Sequence, residues 1–219
     1  MKTQITNILR DVEIMLNEVN PNEAAFVGDM DHADLMTVIE NQIESAADEI
    51  HSKAQLSRMA LDAVEEISYD GDTTDPRFIY NRATGVLSVI TKSFSTRFHD
   101  SFDADVLRLV TAKSKAWPFE VTNEIFPDDP LFAIVTDPYV GAQPDFPAVT
   151  RRRKQISIDG NLVKVEVMEL RCLENPADWA LIAYIPKAKI LDGQIDIDSK
   201  LYHDFIALLT AKVSTIINQ

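Results

Sequence analysis

The chain has 219 residues, enough for one domain of ordinary size, with 46% hydrophobic and 26% charged residues, so wholesale disorder is excluded. Its 35 acidic residues against 21 basic ones give a formal charge of -14, which excludes broad nucleic-acid binding, because neutralising phosphates requires clustered Lys and Arg. The single cysteine, Cys172, excludes an intrachain disulfide and a cysteine-rich metal site.

In chain order, the first expected element is an amphipathic helix. Ile5, Ile8, Leu9, Val12, Met15, Leu16 and Val19 recur at helical spacing, and Asn20-Pro21 ends it. The layout lacks the basic-then-apolar order of a signal peptide, and no apolar run reaches the ~20 residues of a membrane span. After a polar connection anchored by Phe26-Val27, Asp31 is the expected N-cap of a second helix over 33–53, with a stripe of Leu35, Val38, Ile39, Ile43, Ala46, Ala47 and Ile50. The two helices are expected to form an antiparallel hairpin. Met59 to Ile67 keeps helical spacing and predicts another short helix, before Asp70-Gly71-Asp72 and Asp75-Pro76 break the chain.

From Phe78 the texture becomes β-like. Strands are expected at Val86–Thr91 and Ser93–Phe98; Val106–Val110 fits either a strand or a helical turn. The proline-rich stretch 127–147 reads as a long loop whose Leu131–Val135 core should be tucked against the domain. Gln155–Ile158, Asp159-Gly160-Asn161 and Leu162–Leu170 predict a hairpin, and Trp179–Ile185 a further strand. A helix over Ser199–Ile217 closes the chain. The fold class is therefore α+β: an N-terminal helical hairpin, a small antiparallel β-sheet or sandwich, and a C-terminal helix. We expect a single domain over 1–219, with a helical part (1–68), a β-rich part (77–186) and the last helix (197–218).

No constellation of catalytic groups stands out. His32, His51, His99 and His203 lie far apart without ligand spacing, and His99-Asp100 has no nucleophile tied to it. Asp128-Asp129-Pro130 reads as a turn or helix start, Asp70-Gly71-Asp72 lacks the surroundings of a calcium loop, and Cys172 reads as a structural thiol. The expectation is a protein that is not an enzyme and takes no cofactor and no metal. Two charge features remain. Eleven acidic residues and no basic one lie between Arg10 and Lys53, a solvated face or a negative surface for a basic partner. Arg151, Arg152, Arg153 and Lys154 form the one basic cluster, and are expected to contact a neighbouring subunit or partner.

The segment 102–149 carries a resemblance. Phe102-Asp103-Ala104-Asp105-Val106-Leu107-Arg108-Leu109-Val110 is followed by Trp117, Asp129-Pro130-Leu131-Phe132, a loop with Tyr139, Gly141 and Pro144, and Pro147-Ala148-Val149. This order resembles the ring-forming head-tail connector proteins of tailed bacteriophages, in particular those of crAss-like podoviruses. Leu162–Leu170, Ala180–Pro186 and the closing helix fit the same order. Phe102 stands where the family pattern has proline and Phe146 where it has lysine. The resemblance implies a virion protein made in the host bacterial cytoplasm and assembled at the head-tail junction. It implies a homo-oligomeric ring of about twelve copies that docks on the portal protein or a neighbouring ring. DNA would pass through its channel without sequence-specific binding, and no membrane is involved. The alternative class is a cytoplasmic, non-enzymatic adaptor acting as a monomer or dimer.

Overall fold

The computed structural model describes residues 1–19, 32–72, 74–95, 104–137, 141–143, 145–158, 160–173, 175 and 178–217. Phe26, Val27, Asp31, the expected strand segment 96–98, His99, Phe102, Asp103, Tyr139, Pro144 and Asp159 lie outside them. The architecture is α+β, as expected, and the chain divides into two compact units. One comprises Met1–Ala63 with Lys187–Gln219, and the other Val64–Pro186.

The first unit joins the two ends of the chain. β1 (Lys2–Gln4) leads into α1 (Ile5–Val19), followed by α2 (His32–Lys53). The returning chain supplies β10 (Gln194–Asp196) and α4 (Tyr202–Ile217). β1 pairs antiparallel with β10. Ahead of β10, Asp192 and Gly193 have φ of 51° and 72°, the left-handed pair a tight turn requires. The Gly193 carbonyl then accepts the Ile5 N–H (3.0 Å), satisfying one of the open donors at the start of α1.

Ile8 and Val12 on α1, Leu35, Ile39 and Ile43 on α2, and Phe205, Leu209 and Val213 on α4 form one buried core. Each such residue contributes about 1.5–3 kcal/mol on leaving water. The helices α1 and α2 pack more extensively on α4 than on each other, so the expected hairpin is two sides of a three-helix bundle.

The helix expected over Met59–Ile67 does not form. A single 3-10 turn covers Leu56–Arg58, Leu61 has φ of 60°, and Glu65 opens a strand. The reason is tertiary. The buried Asp198 carboxylate accepts the N–H groups of Ala60 (3.0 Å) and Leu61 (2.8 Å), which a helix would have spent on its own carbonyls.

His51 belongs to the same hub: it is buried, and its Nε2 accepts the Asp198 N–H at 3.1 Å. Burial holds the imidazole below its ordinary value, against the pull of the Asp198, Asp62 and Asp196 carboxylates. A depressed histidine stabilises fully above the unfolded value of about 6.5 and loses that contribution as pH falls through the folded one. Thermal unfolding followed at 222 nm should therefore drop between pH 7 and pH 5.5, and His51→Gln should flatten that drop. An unchanged slope would remove His51 as its cause.

The second unit is inserted through β2 (Glu65–Tyr69) and leaves through β9 (Ala180–Pro186), which are hydrogen-bonded antiparallel neighbours. With β5 (Val106–Ser114) they form a sheet of order β2-β9-β5. A five-stranded sheet has the order β3-β4-β8-β7-β6, from β3 (Phe78–Asn81), β4 (Val86–Ser93), β6 (Glu124–Ile125), β7 (Val149–Ile158) and β8 (Asn161–Arg171). Phe78, Leu87, Val149, Met168 and Leu170 of one sheet share a core with Ile67, Tyr69, Leu109, Ile182 and Tyr184 of the other. Val106–Val110, open on sequence, is strand. β4 stops at Ser93, and Phe94 is 45% exposed, so the strand expected from Ser93 does not extend through Ser95.

The 127–147 stretch is not one loop. It contains α3 (Pro130–Thr136), N-capped by Asp129, whose carboxylate accepts the Leu131 N–H at 2.8 Å, with Pro130 at the start of the helix. The expectation that Leu131–Val135 would be tucked away is corrected. Phe132 and Val135, three apart, are half-buried, while Leu131 and Ile134 are 52% and 54% exposed. The segment LFAIV is apolar on every side, and a helix buries only one of them.

Candidate interaction surface

β7 carries the basic run, and its side chains alternate between two faces. Arg151 and Arg153 share one face, Arg152 and Lys154 the other. The four cations therefore do not form a single patch.

Arg151 is buried. Its guanidinium forms a two-pronged ion pair with Glu124 (Nε to Oε2 2.8 Å, Nη2 to Oε1 3.1 Å) and donates to the Val106 carbonyl at 3.0 Å. It also lies 5.5 Å from the centre of the Phe126 ring. One side chain thus ties β7 to β6 and β5. Burial raises the Glu124 carboxyl above its ordinary value, with Arg151 opposing.

On the other face, three cations converge on Glu169, which is only 2% exposed. Arg152 reaches it at 2.8 Å, Lys154 at 3.1 Å and Arg171 at 2.7 Å. Lys154 also donates to the Ser88 hydroxyl at 2.8 Å. Burial pushes the Glu169 carboxyl up, but Arg152 and Lys154 hold it below its ordinary value. The exception in the run is Arg153, with a side chain 76% exposed, 3.8 Å from Glu166 and 5.0 Å from the Phe94 ring centre. Of the four expected contact residues, Arg151 and Lys154 are mainly structural, Arg152 is half-committed, and Arg153 is presented to solvent.

The acidic run between Arg10 and Lys53 is likewise part structure. Asp48 and Glu44 accept the N–H groups of Ala188 (2.7 Å) and Ile190 (2.8 Å). Glu49 bonds to Lys212 and Lys53, which draw its carboxyl down to about 2. Asp34 and Glu40 stay exposed.

Other candidates have local explanations. Asp70 and Asp72 accept backbone N–H groups two residues onward, as turn-forming aspartates do. Cys172 is half-buried with φ of 72°, and burial pushes its thiol up, away from the reactive thiolate. Among the described residues, no three His, Cys, Asp or Glu side chains gather as metal ligands would. No helix among them is long and apolar enough to cross a membrane.

Among the described residues, one cleft in each unit measures about 200 and 190 Å³ respectively. Both fall short of the roughly 300–1,000 Å³ usual for small-molecule sites. The first lies between Asp11, Ile14 and Met15 of α1 and Tyr202, His203 and Ile206 of α4. The second is bordered by Thr84, Thr136, Asp137, Gln143, Arg171 and Cys172.

Exposed apolar surface is more conspicuous, and the expected burial of Leu131–Val135 concealed it. Phe119 (51%), Phe126 (40%), Leu131 (52%), Ile134 (54%) and Phe146 (74%) all fall within one 28-residue stretch. The signal was present in the apolar-all-round LFAIV run. Compared with protein-family models, curated proteins and solved structures, the chain matches none.

Proposed function

We propose that this protein is a non-enzymatic virion component that assembles into a ring of about twelve copies in the head-tail connector of a tailed phage. The ring docks on the portal or an adjacent ring and extends the DNA channel. The observation that carries the reading is the concentration of exposed Phe119, Phe126, Leu131, Ile134 and Phe146 in one stretch. Large apolar side chains left in water mark contact with other proteins, and multi-copy assemblies need such contacts on every subunit. The formal charge of -14 supports a conduit that DNA traverses without sticking. A ring of identical subunits uses heterologous contacts that close by rotation.

Light scattering tests this, first on the purified protein and then on mixtures with portal rings. The expected result is ring-sized mass, or co-migration with the portal in about twelve copies. The double variant Leu131→Asp, Ile134→Asp should stay folded, because both residues are exposed, and lose that association. A monomer or dimer that ignores the portal would replace this reading with an adaptor acting on its own.

A further inference from the structure

β7 has an unusual outer side. It pairs with β8 through all ten residues, from Val149↔Leu170 to Ile158↔Asn161, without a bulge. On the other side β6 pairs with it only at Val149 and Thr150. Among the described residues no strand continues along 151–158. The line that β6 begins is lost at once: Phe126 lies against the Arg151 guanidinium, and Pro127 has no N–H to donate.

Among the described residues, eight positions of edge, about 26 Å at ~3.3 Å per residue, therefore have no strand partner for the backbone donors and acceptors that face outward at every second position. The other edges are poorer templates. β3 has four residues and β2 five, while β5 is interrupted by two register shifts and bridges Val121 through Ala112. Segment 151–158 contains no proline, no glycine and no bulge to blunt it, and Gln155–Ile158 is uncharged.

Charge selects what fits. Segment 151–158 holds four cations and no carboxylate, and of the four Arg153, with a side chain 76% exposed, and Arg152, at 38%, reach solvent. This edge is basic in a chain whose formal charge is -14. Two copies of β7 laid together would confront two such surpluses, which disfavours self-pairing. Arg153, Gln155 and Ser157 are exposed on one face, and Ile156 and Ile158 are half-buried on the other beside Val163 and Val165.

We propose that residues 151–158 of β7 are a strand-addition site for an extended acidic segment of a partner protein. Main-chain hydrogen bonds supply the affinity. A carboxylate beside Arg153 and apolar side chains beside Ile156 and Ile158 supply the selection. The site does not rest on ring formation, since a protein inert toward portal rings would keep this edge.

The test is hydrogen exchange of the full chain with two ten-residue peptides, one alternating glutamate with valine and the other lysine with valine. The glutamate peptide should slow amide exchange within 151–158 and, by calorimetry at low salt, bind at least tenfold more tightly than the lysine peptide. Arg153→Glu, at a side chain 76% exposed, should reverse that preference while exchange elsewhere stays as in the parent. Unaltered exchange over 151–158, or equal affinity for the two peptides, overturns the proposal. Protection of 151–158 that grows with protein concentration and needs no peptide also overturns it, by assigning the edge to a second copy.

Discussion

Glu169→Gln is expected to lower the unfolding free energy by about 3–5 kcal/mol, the range for removing one partner of a buried ion pair. The carboxylate is 2% exposed and receives Arg152, Lys154 and Arg171; the latter two side chains are themselves only 24% and 12% exposed. Glutamine keeps the shape and some hydrogen bonds but leaves three cations facing one another in a poorly solvated place. Urea unfolding followed by tryptophan fluorescence reads this directly, because Trp117 and Trp179 both lie in the inserted unit. Arg153→Ala, two residues from Arg151 on the same strand, should change stability by no more than about 0.5 kcal/mol. Equal effects at Glu169 and Arg153 would mean that the basic run acts as one surface patch after all. The pH dependence has a definite sign. Glu169 is held below its ordinary value, so its contribution is complete above about 4.3 and disappears as pH falls through the folded value. The gap between parent and Gln variant should close in acid.

What the sequence made legible followed periodicity. The stripes of α1, α2 and α4 predict their helices because each turn buries the same face. Alternation through Val163, Val165 and Val167 predicts β8. Signals failed where a distant residue decided the matter. Met59–Ile67 has helical spacing, but Asp198, about 140 residues away, takes two of its N–H groups. The fate of the basic run was recoverable. Setting Ile158 opposite Asn161 fixes the whole ladder, and with it Arg153 opposite Glu166 and Thr150 opposite Glu169. Extending the strand back to Val149 would have exposed the alternation and the internal partners together. Glu124 was not recoverable this way, since β6 pairs through only two residues and in parallel.

The exposed stretch and the open edge make related demands. A single chain leaves Phe119, Leu131, Ile134 and Phe146 in water and, among the described residues, eight residues of strand without an outer neighbour. Each is a liability for a solitary protein, because both invite aggregation. A chain that keeps both is easier to understand if partners cover them, with the basic flank of the edge limiting which partners do so.

The second large effect belongs to the helical unit. Phe205 on α4 has no exposure and sits in one core with Ile8 and Val12 of α1 and Leu35 and Ile39 of α2. Since α4 is the helix on which both others pack, Phe205→Ala opens a cavity where all three meet, and about 3–5 kcal/mol should be lost. Two optical signals separate the units. Ellipticity at 222 nm is dominated by α1, α2 and α4, all in the unit of Met1–Ala63 and Lys187–Gln219, whereas both tryptophans report on Val64–Pro186. The ellipticity midpoint should fall by more than about 10 °C, while the fluorescence midpoint moves much less. Coincident transitions shifted by the same amount would show instead that the two units unfold as one cooperative body, the inserted sheets depending on a core that the ends of the chain complete.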